Sequence, residues 1–393
     1  MSFGIYIHIP YCLQRCTYCD FATYVHSEIL PPPKYFDLLK KEAAFSAHLF
    51  PKGPLSTVYF GGGTPSLIDS SLIVDLIQNL NNLGFTTGPE TEITLEINPA
   101  TIDSKKMEDY LKAGINRFSV GAQTFNDSLL KSVNREHNSR QTRETLAFLK
   151  SYQVNYSFDV LFALPGQSLE DLHRDLDEVV NFGPQHVSPY CLTVPEGHPL
   201  SKVRLSEDTQ IKMFEVIDQR LKEAGYLQYE ISNYCRPGFE SRHNTLYWTD
   251  QPYWGIGLSA HSYMPKVGAF GRRFWNPPSI GAYQSLLESL ALEPRTPGEY
   301  LPDQFREDLE VHQSLTDFCH TFLRTASGLS LDEVQAKYGA KISQKIAEIL
   351  RSQAEIGLVK NDDGARYSLT SEGQLVSNQV YAALTFLPGE ISL

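Results

Sequence analysis

The chain has 393 residues, enough for one large domain and a smaller one or two. Its 46 acidic against 34 basic residues give a formal charge of −12. No Lys/Arg stripe interrupts that acidity, which argues against DNA or RNA as a partner. The opening MSFGIYIHIPYC has no basic segment followed by an apolar core, so it does not read as a signal peptide, and no apolar run reaches bilayer length. A cytoplasmic protein is expected, with any membrane association peripheral. In that compartment thiols stay reduced, and clustered cysteines point to metal or catalysis sooner than to disulfides.

The first predicted strand, GIYIHIP (4–10), runs straight into YCLQRCTYC, where Cys12, Cys16 and Cys19 follow a C-x3-C-x2-C spacing. A closed zinc tetrahedron needs a fourth ligand, for which His8, His26 or a distant cysteine would have to serve. Three thiolates on one short loop would instead hold three irons of a [4Fe–4S] cube and leave the fourth open to an exchangeable ligand. Buried, unliganded thiols are the plain alternative. A helix follows over 34–50, then the strand STVYFGGG (56–63) and the turn TPS. Three successive glycines remove every β-carbon where backbone must approach a ligand or turn tightly. The run fits neither a P-loop nor G-x-G-x-x-G, so nucleoside triphosphates and dinucleotides are not expected.

Helices over 70–80 and 104–114 alternate with strands at 92–99 (EITLEINP) and 117–123 (RFSVGAQ). Ser104 with Met107 makes no capping box, whereas Ser168 with Asp171 starts a helix before LHRDLDEVVNF. Strands YSFDVLFALPG (156–166) and HVSPYCLTV (186–194) complete six β-then-α units over residues 1–225. Such a series predicts a parallel sheet with right-handed crossovers. The unusual residues all follow strands directly, so the special chemistry collects at one end, as in barrel enzymes. A partial (β/α)6 barrel is the expected α/β fold.

From 226 to 300 aromatic and Gly/Pro-rich sequence predicts irregular strands and loops beside the barrel. LALEPRTPGEYLPDQ (290–304) reads as a linker. The remaining 301–393 segment has helices, two strands around Asp-Asp-Gly (356–370) and a last helix: a winged-helix-like α+β domain. Cys191, Cys235 and Cys319 are scattered and read as buried small hydrophobes.

Together YIHIPYC, the three cysteines, GGGTPS, EINP, VGAQTF with NREH, and DVLFALPGQ resemble the radical S-adenosylmethionine (SAM) enzymes. Within them they resemble the oxygen-independent coproporphyrinogen III oxidase group, from about Tyr6 to the C-terminus. The resemblance implies a [4Fe–4S] cluster on Cys12, Cys16 and Cys19. The cluster's open iron would chelate SAM, and an electron from it would release a 5′-deoxyadenosyl radical. It places Tyr6, Gly62, Gly63, Thr64, Glu96, Gln123, Arg135 and Asp159 around SAM. Singly, each has a plainer reading: Asp159 as a loop cap, Arg135 in a surface ion pair, Tyr6 as packing.

Two departures separate the chain from the oxidases. Oxidases of the group carry a fourth cysteine two residues after the third, where this chain has Phe21, and a longer segment ahead of the cluster. Both resemble the related heme-chaperone branch. So does RHNTLYW, whose His243, Asn244, Tyr247 and Trp248 match that branch's HNxxYW heme pattern. Histidine is a common axial ligand of heme iron, Tyr and Trp can flank a macrocycle, and Arg242, Arg272 or Arg273 can meet propionates. The bland reading is a turn hydrogen bond with core aromatics. His261 in GLSAHSY is a further position that either faces a tetrapyrrole or sits satisfied in the core.

The expected function is heme uptake and delivery to an acceptor such as a respiratory or storage hemoprotein, with an outside electron donor and a possible homodimer. Radical decarboxylation of coproporphyrinogen III is the alternative, and a zinc scaffold the third.

Overall fold

The computed structural model describes residues 2–290, 294–361 and 363–391. Six strands carry the barrel: β1 (Gly4–Ile9), β2 (Thr57–Gly62), β3 (Glu92–Ile97), β4 (Arg117–Gln123), β5 (Asn155–Phe162) and β6 (His186–Cys191). The edge pair β7 (Leu227–Glu230) and β8 (Asn233–Cys235) follows. On the opposite side lie β9 (Tyr253–Ile256), β10 (His261–Met264), β11 (Arg272–Trp275) and β12 (Arg306–Asp308). All belong to one 12-stranded sheet in the order β7-β8-β6-β5-β4-β3-β2-β1-β9-β10-β11-β12. From β9 through β1 to β6 the pairs are parallel, and both flanks are antiparallel. The sheet curls around a core yet does not close, so the fold is a partial barrel.

Crossover helices cover the outside: α1 (Pro32–Ser46), α2 (Ser70–Asn82), α3 (Ser104–Lys112), α4 (Asp127–Ser132), α5 (Ser139–Ser151), α6 (Leu169–Phe182) and α7 (Glu207–Glu223). Their starts follow from local chemistry. Ser168 and Asp171 form the predicted capping box of α6. Helix α3 is capped instead by Asp103, which accepts from the Lys106 amide, one residue ahead of the serine weighed in the sequence. Strand residues of β1, β2, β4 and β5 alternate into a continuous core with Leu39, Leu76, Met107 and Leu176 from the helices.

The 226–300 stretch differs from its expectation. Its short strands, one of them bulged between Gln228 and Glu230 as irregularity predicts, extend the barrel's own sheet at both flanks instead of lying beside it, and RHNTLYW forms a short helix, α8 (Arg242–Trp248). Short strands dense in aromatics hide the alternation that marks a longer one. Helix α9 (Ile280–Glu288) leads toward the predicted 290–304 linker, of which 291–293 lie outside the described residues.

The C-terminal unit has a separate core around Leu315, Phe322, Ile346 and Tyr367. Helices α10 (Val311–Arg324), α11 (Leu331–Tyr338) and α12 (Ala340–Glu355) pack on a small sheet of β13 (Leu329–Ser330), β14 (Val359–Asn361) and β15 (Arg366–Leu369). Helices followed by a β14–β15 hairpin give the winged-helix-like order expected; Asp362 of its turn lies outside the described residues. Helices α13 (Ser371–Leu375) and α14 (Ser377–Ala383) close the unit.

Candidate functional site

The loop after β1 brings Cys12, Cys16 and Cys19 to the strand-end rim, each half-buried with a free thiol. All three line one cavity of about 510 Å³. A tight turn, with the Cys19 amide donating to the Cys16 carbonyl at 3.3 Å, holds the last two. Burial pushes the Cys12 thiol up to about 11, so a metal would have to draw off its proton on binding. The three thiols of one loop fit a centre with three protein thiolates; the remaining thiol of the cavity, Cys191, comes from β6 and donates to Gln210 Oε1 at 3.4 Å. His8 is no fourth ligand: its Nδ1 meets the Tyr6 hydroxyl at 3.1 Å and its Nε2 the Ala22 carbonyl at 2.9 Å. His26 is exposed, its ring packed 5.5 Å from that of Tyr11.

The glycines at the end of β2 serve the protein as much as a ligand. A β-carbon on Gly63 would stand 2.6 Å from the Tyr11 carbonyl oxygen, and one on Gly62, at φ +112°, 2.5 Å from the His8 ring. Their absence lets the cysteine loop lie directly on β2. The Thr64 amide donates to the Tyr11 carbonyl at 2.7 Å, with its hydroxyl facing Cys12 Sγ at 3.9 Å.

Around the same cavity stand Glu96, Gln123, Arg135 and Asp159. Glu96 accepts from the Tyr59 hydroxyl at 2.8 Å and the Gly62 amide at 3.0 Å. Burial nevertheless pushes its carboxyl up to about 7. Burial also raises Asp159 to about 6, against the opposing pull of Ser188 and the Arg117 charge. Gln123 ends β4 at φ +69°, just past an irregular register, a strained backbone held at the rim. Arg135 is not in a surface ion pair. It donates to Asn98 Oδ1 and the Gly121 carbonyl and reaches Cys16 Sγ at 3.4 Å.

Tyr6 lies elsewhere. It lines a second chamber of about 760 Å³ that shares Phe21, Tyr59, Gly62, Glu96, Tyr190 and Asn244 with the first. His243, Tyr247 and Trp248 line it too, all carried by α8. The Glu92 carboxylate fixes the start of α8 by accepting from the Arg242 and His243 amides at 3.1 and 2.9 Å. His243 is fully buried, with Nδ1 on the Thr57 hydroxyl at 2.7 Å and Nε2 on the Tyr247 hydroxyl at 2.8 Å. Burial pushes its pKa down to about 3, so it is neutral. The Arg324 guanidinium lies 4.5 Å over the Trp248 ring. His261 is exposed rather than in the core. Of the three arginines considered for propionates, only Arg273 lines the chamber. Arg272 is paired with Asp308, and Arg242 donates to the Glu90 carbonyl.

Among the cavity residues that the sequence did not single out are Tyr59, Asn98 and Arg117. Cys191, read as buried, is half-buried and lines the cluster cavity at the end of β6. Its position at a strand end was the available signal. Arg117 is 3% exposed, placing a cation at the cavity floor.

An open parallel barrel with three thiols and a polar cavity at its strand ends defines the class, and the Radical SAM superfamily model matches residues 6–179. That membership implies a [4Fe–4S] cluster and SAM. The chain is 37% identical over 267 residues to the heme chaperone HemW of Buchnera aphidicola (subspecies Schizaphis graminum), covering 67% of this chain and 71% of the relative. Heme chaperone HemW of Bacillus subtilis is 30% identical over 389 residues, 96% of this chain and 98% of the relative. The chain therefore belongs to the HemW family. Coproporphyrinogen III oxidase (HemN) from Escherichia coli, a radical SAM enzyme, superposes with TM-score 0.80 at 21% identity, covering 98% of this chain and 90% of that one. The oxidase shares the whole architecture. Among the described residues no helix is long and apolar enough to cross a membrane.

Proposed function

We propose that the protein binds heme and hands it to an acceptor hemoprotein, with a [4Fe–4S] cluster and SAM held beside the heme chamber. The observation that carries this reading is the joining of two chambers through shared residues, one bearing the three thiols and the other the HNxxYW side chains. Cys12, Cys16 and Cys19 would hold the cluster. Gly62, Gly63, Thr64, Glu96, Gln123, Arg135 and Asp159 would receive SAM, and Tyr6 would sit in the neighbouring chamber. When bound, the cluster supplies an open iron for an amine and carboxylate, and one electron. The chain's own part is to orient and to exclude water. Arg135 sets its charge against Cys16, and Tyr59 fixes the Glu96 carboxylate. His243, Asn244, Tyr247 and Trp248 form one aromatic wall of the heme chamber.

Anaerobic reconstitution followed by heme titration tests the reading. The expected result is about four irons per chain, no zinc, a saturable heme spectrum, and heme lost to an added apo-hemoprotein. Turnover of coproporphyrinogen III to protoporphyrinogen would instead identify the oxidase, and a chain that takes up no heme would end the carrier reading.

A further inference from the structure

The heme chamber holds three histidines, His8, His243 and His261. An axial ligand must present an unshared ring nitrogen to the metal. His8 and His243 have both ring nitrogens engaged, His8 by Tyr6 and Ala22, His243 by Thr57 and Tyr247. Freeing His243 would break a buried hydrogen bond and strand a partner. His261 differs. Neither of its ring nitrogens is hydrogen-bonded to a described residue, and the ring is fixed by stacking on Trp275, centroids 5.6 Å apart at 17°. It is exposed to the chamber on β10.

The surroundings suit a flat apolar ligand. Antiparallel register pairs His261 with Trp275 and Tyr263 with Arg273, so these four side chains share one face of the sheet extension. Ser262, Met264 and Phe274 are buried on the other. Facing them across the chamber is α10, with Phe318 and Thr321. Its volume of about 760 Å³ lies in the range of small-molecule sites. Arg273, the lone Lys or Arg among the described lining residues, is already held by Glu307 and Asp317 at 3.0 Å each. Asp250 and Asp317 on the same lining are paired with Lys337 and Arg273, and Asp20 adds a further carboxylate, so the lining offers a dianionic edge no unpaired Lys or Arg among the described residues.

We infer that His261, rather than His243, is the protein's axial ligand to heme iron, with the macrocycle between the β10–β11 face and α10 and its propionates at the solvent-facing mouth. His243 then acts as a positioning residue that locks Tyr247 into the chamber wall. The inference rests on the heme-carrier reading.

The test is a titration of ferric heme into the reconstituted full chain, followed by absorbance and electron paramagnetic resonance, for wild type, His261→Ala and His243→Ala. His261→Ala is expected to lose the imidazole-ligated spectrum and to bind about tenfold or more weaker. Free imidazole should restore the spectrum of the heme that co-elutes with the chain, distinct from the bis-imidazole complex of heme alone, which a misfolded variant would not retain. His243→Ala should still show an imidazole-ligated spectrum but bind heme more weakly, because Tyr247 is no longer held, with iron content and circular dichroism reporting its fold. A wild-type spectrum and affinity in His261→Ala would overturn the ligand assignment and leave heme carriage standing. Absence of heme binding by wild type would overturn both.

Discussion

Gly63 shows how little room separates the cysteine loop from β2. In Gly63→Ala the added methyl meets the Tyr11 carbonyl at 2.6 Å, so the backbone that presents Cys12 must retreat. A cost of about 1–3 kcal/mol is expected, with reduced iron content after reconstitution, read by denaturant melts and iron assay. Glu96 makes a pH prediction. An unfolded glutamate releases its proton near 4.5, whereas burial keeps it on the folded protein to about 7. Between those values the folded state binds more protons, so stability falls as pH rises across the window and then levels off. Glu96→Gln should flatten that slope in the cluster-free protein and raise its Tm above wild type at pH 8, by the equivalent of roughly 2–3 kcal/mol. A wild-type pH profile in the variant would refute the assignment. At this scale the sequence was legible where chemistry is written in spacing, as for the three cysteines. It was silent on partners: nothing in HNTLYW tells that Thr57, far away on β2, occupies the His243 ring.

Helix α8 owes its place to a carboxylate outside it. Glu92, at the start of β3, accepts from two amides of the first turn, donors that have no partner within the helix. Glu92→Ala should cost about 1–3 kcal/mol by leaving them unsatisfied. It should also weaken heme uptake although every HNxxYW side chain is intact, a result that titration of the variant would show. Ser168→Ala, which breaks the α6 capping box far from both chambers, should lower stability by about 1 kcal/mol and leave heme uptake unchanged. Elements with a strong period or cap were readable: β1 to β6 and the helices between them lie close to where alternation and punctuation put them. The flanking strands were not. They are three or four residues long and interrupted by α8, so their sheet membership comes from pairing with distant β6 and β1 rather than from local pattern.

Across the whole molecule, the C-terminal unit is fastened to the barrel by charge as well as packing. Arg324 of α10 reaches the fully buried Glu230 carboxylate at 2.6 Å, outside hydrogen-bond alignment, while its guanidinium covers Trp248. Lys337 of α11 pairs with Asp250 at 2.6 Å beyond the end of α8. Arg324→Ala leaves a buried charge uncompensated. A loss of about 3–5 kcal/mol is expected, with faster proteolysis near residue 300. Unchanged cleavage and melting would show that packing alone holds the unit. The open sheet has a further consequence. A barrel that never closes exposes two rows of unpaired backbone groups, the usual invitation for a second chain to add a strand. Here one margin, β12, is three residues long and reads Arg-Glu-Asp. The other, β7, is bulged between Gln228 and Glu230 and bridged at Glu230 by Thr325 of the C-terminal unit. Charge guards one flank, distortion and a cover the other, and the fold can stay ajar for its cargo without templating aggregation.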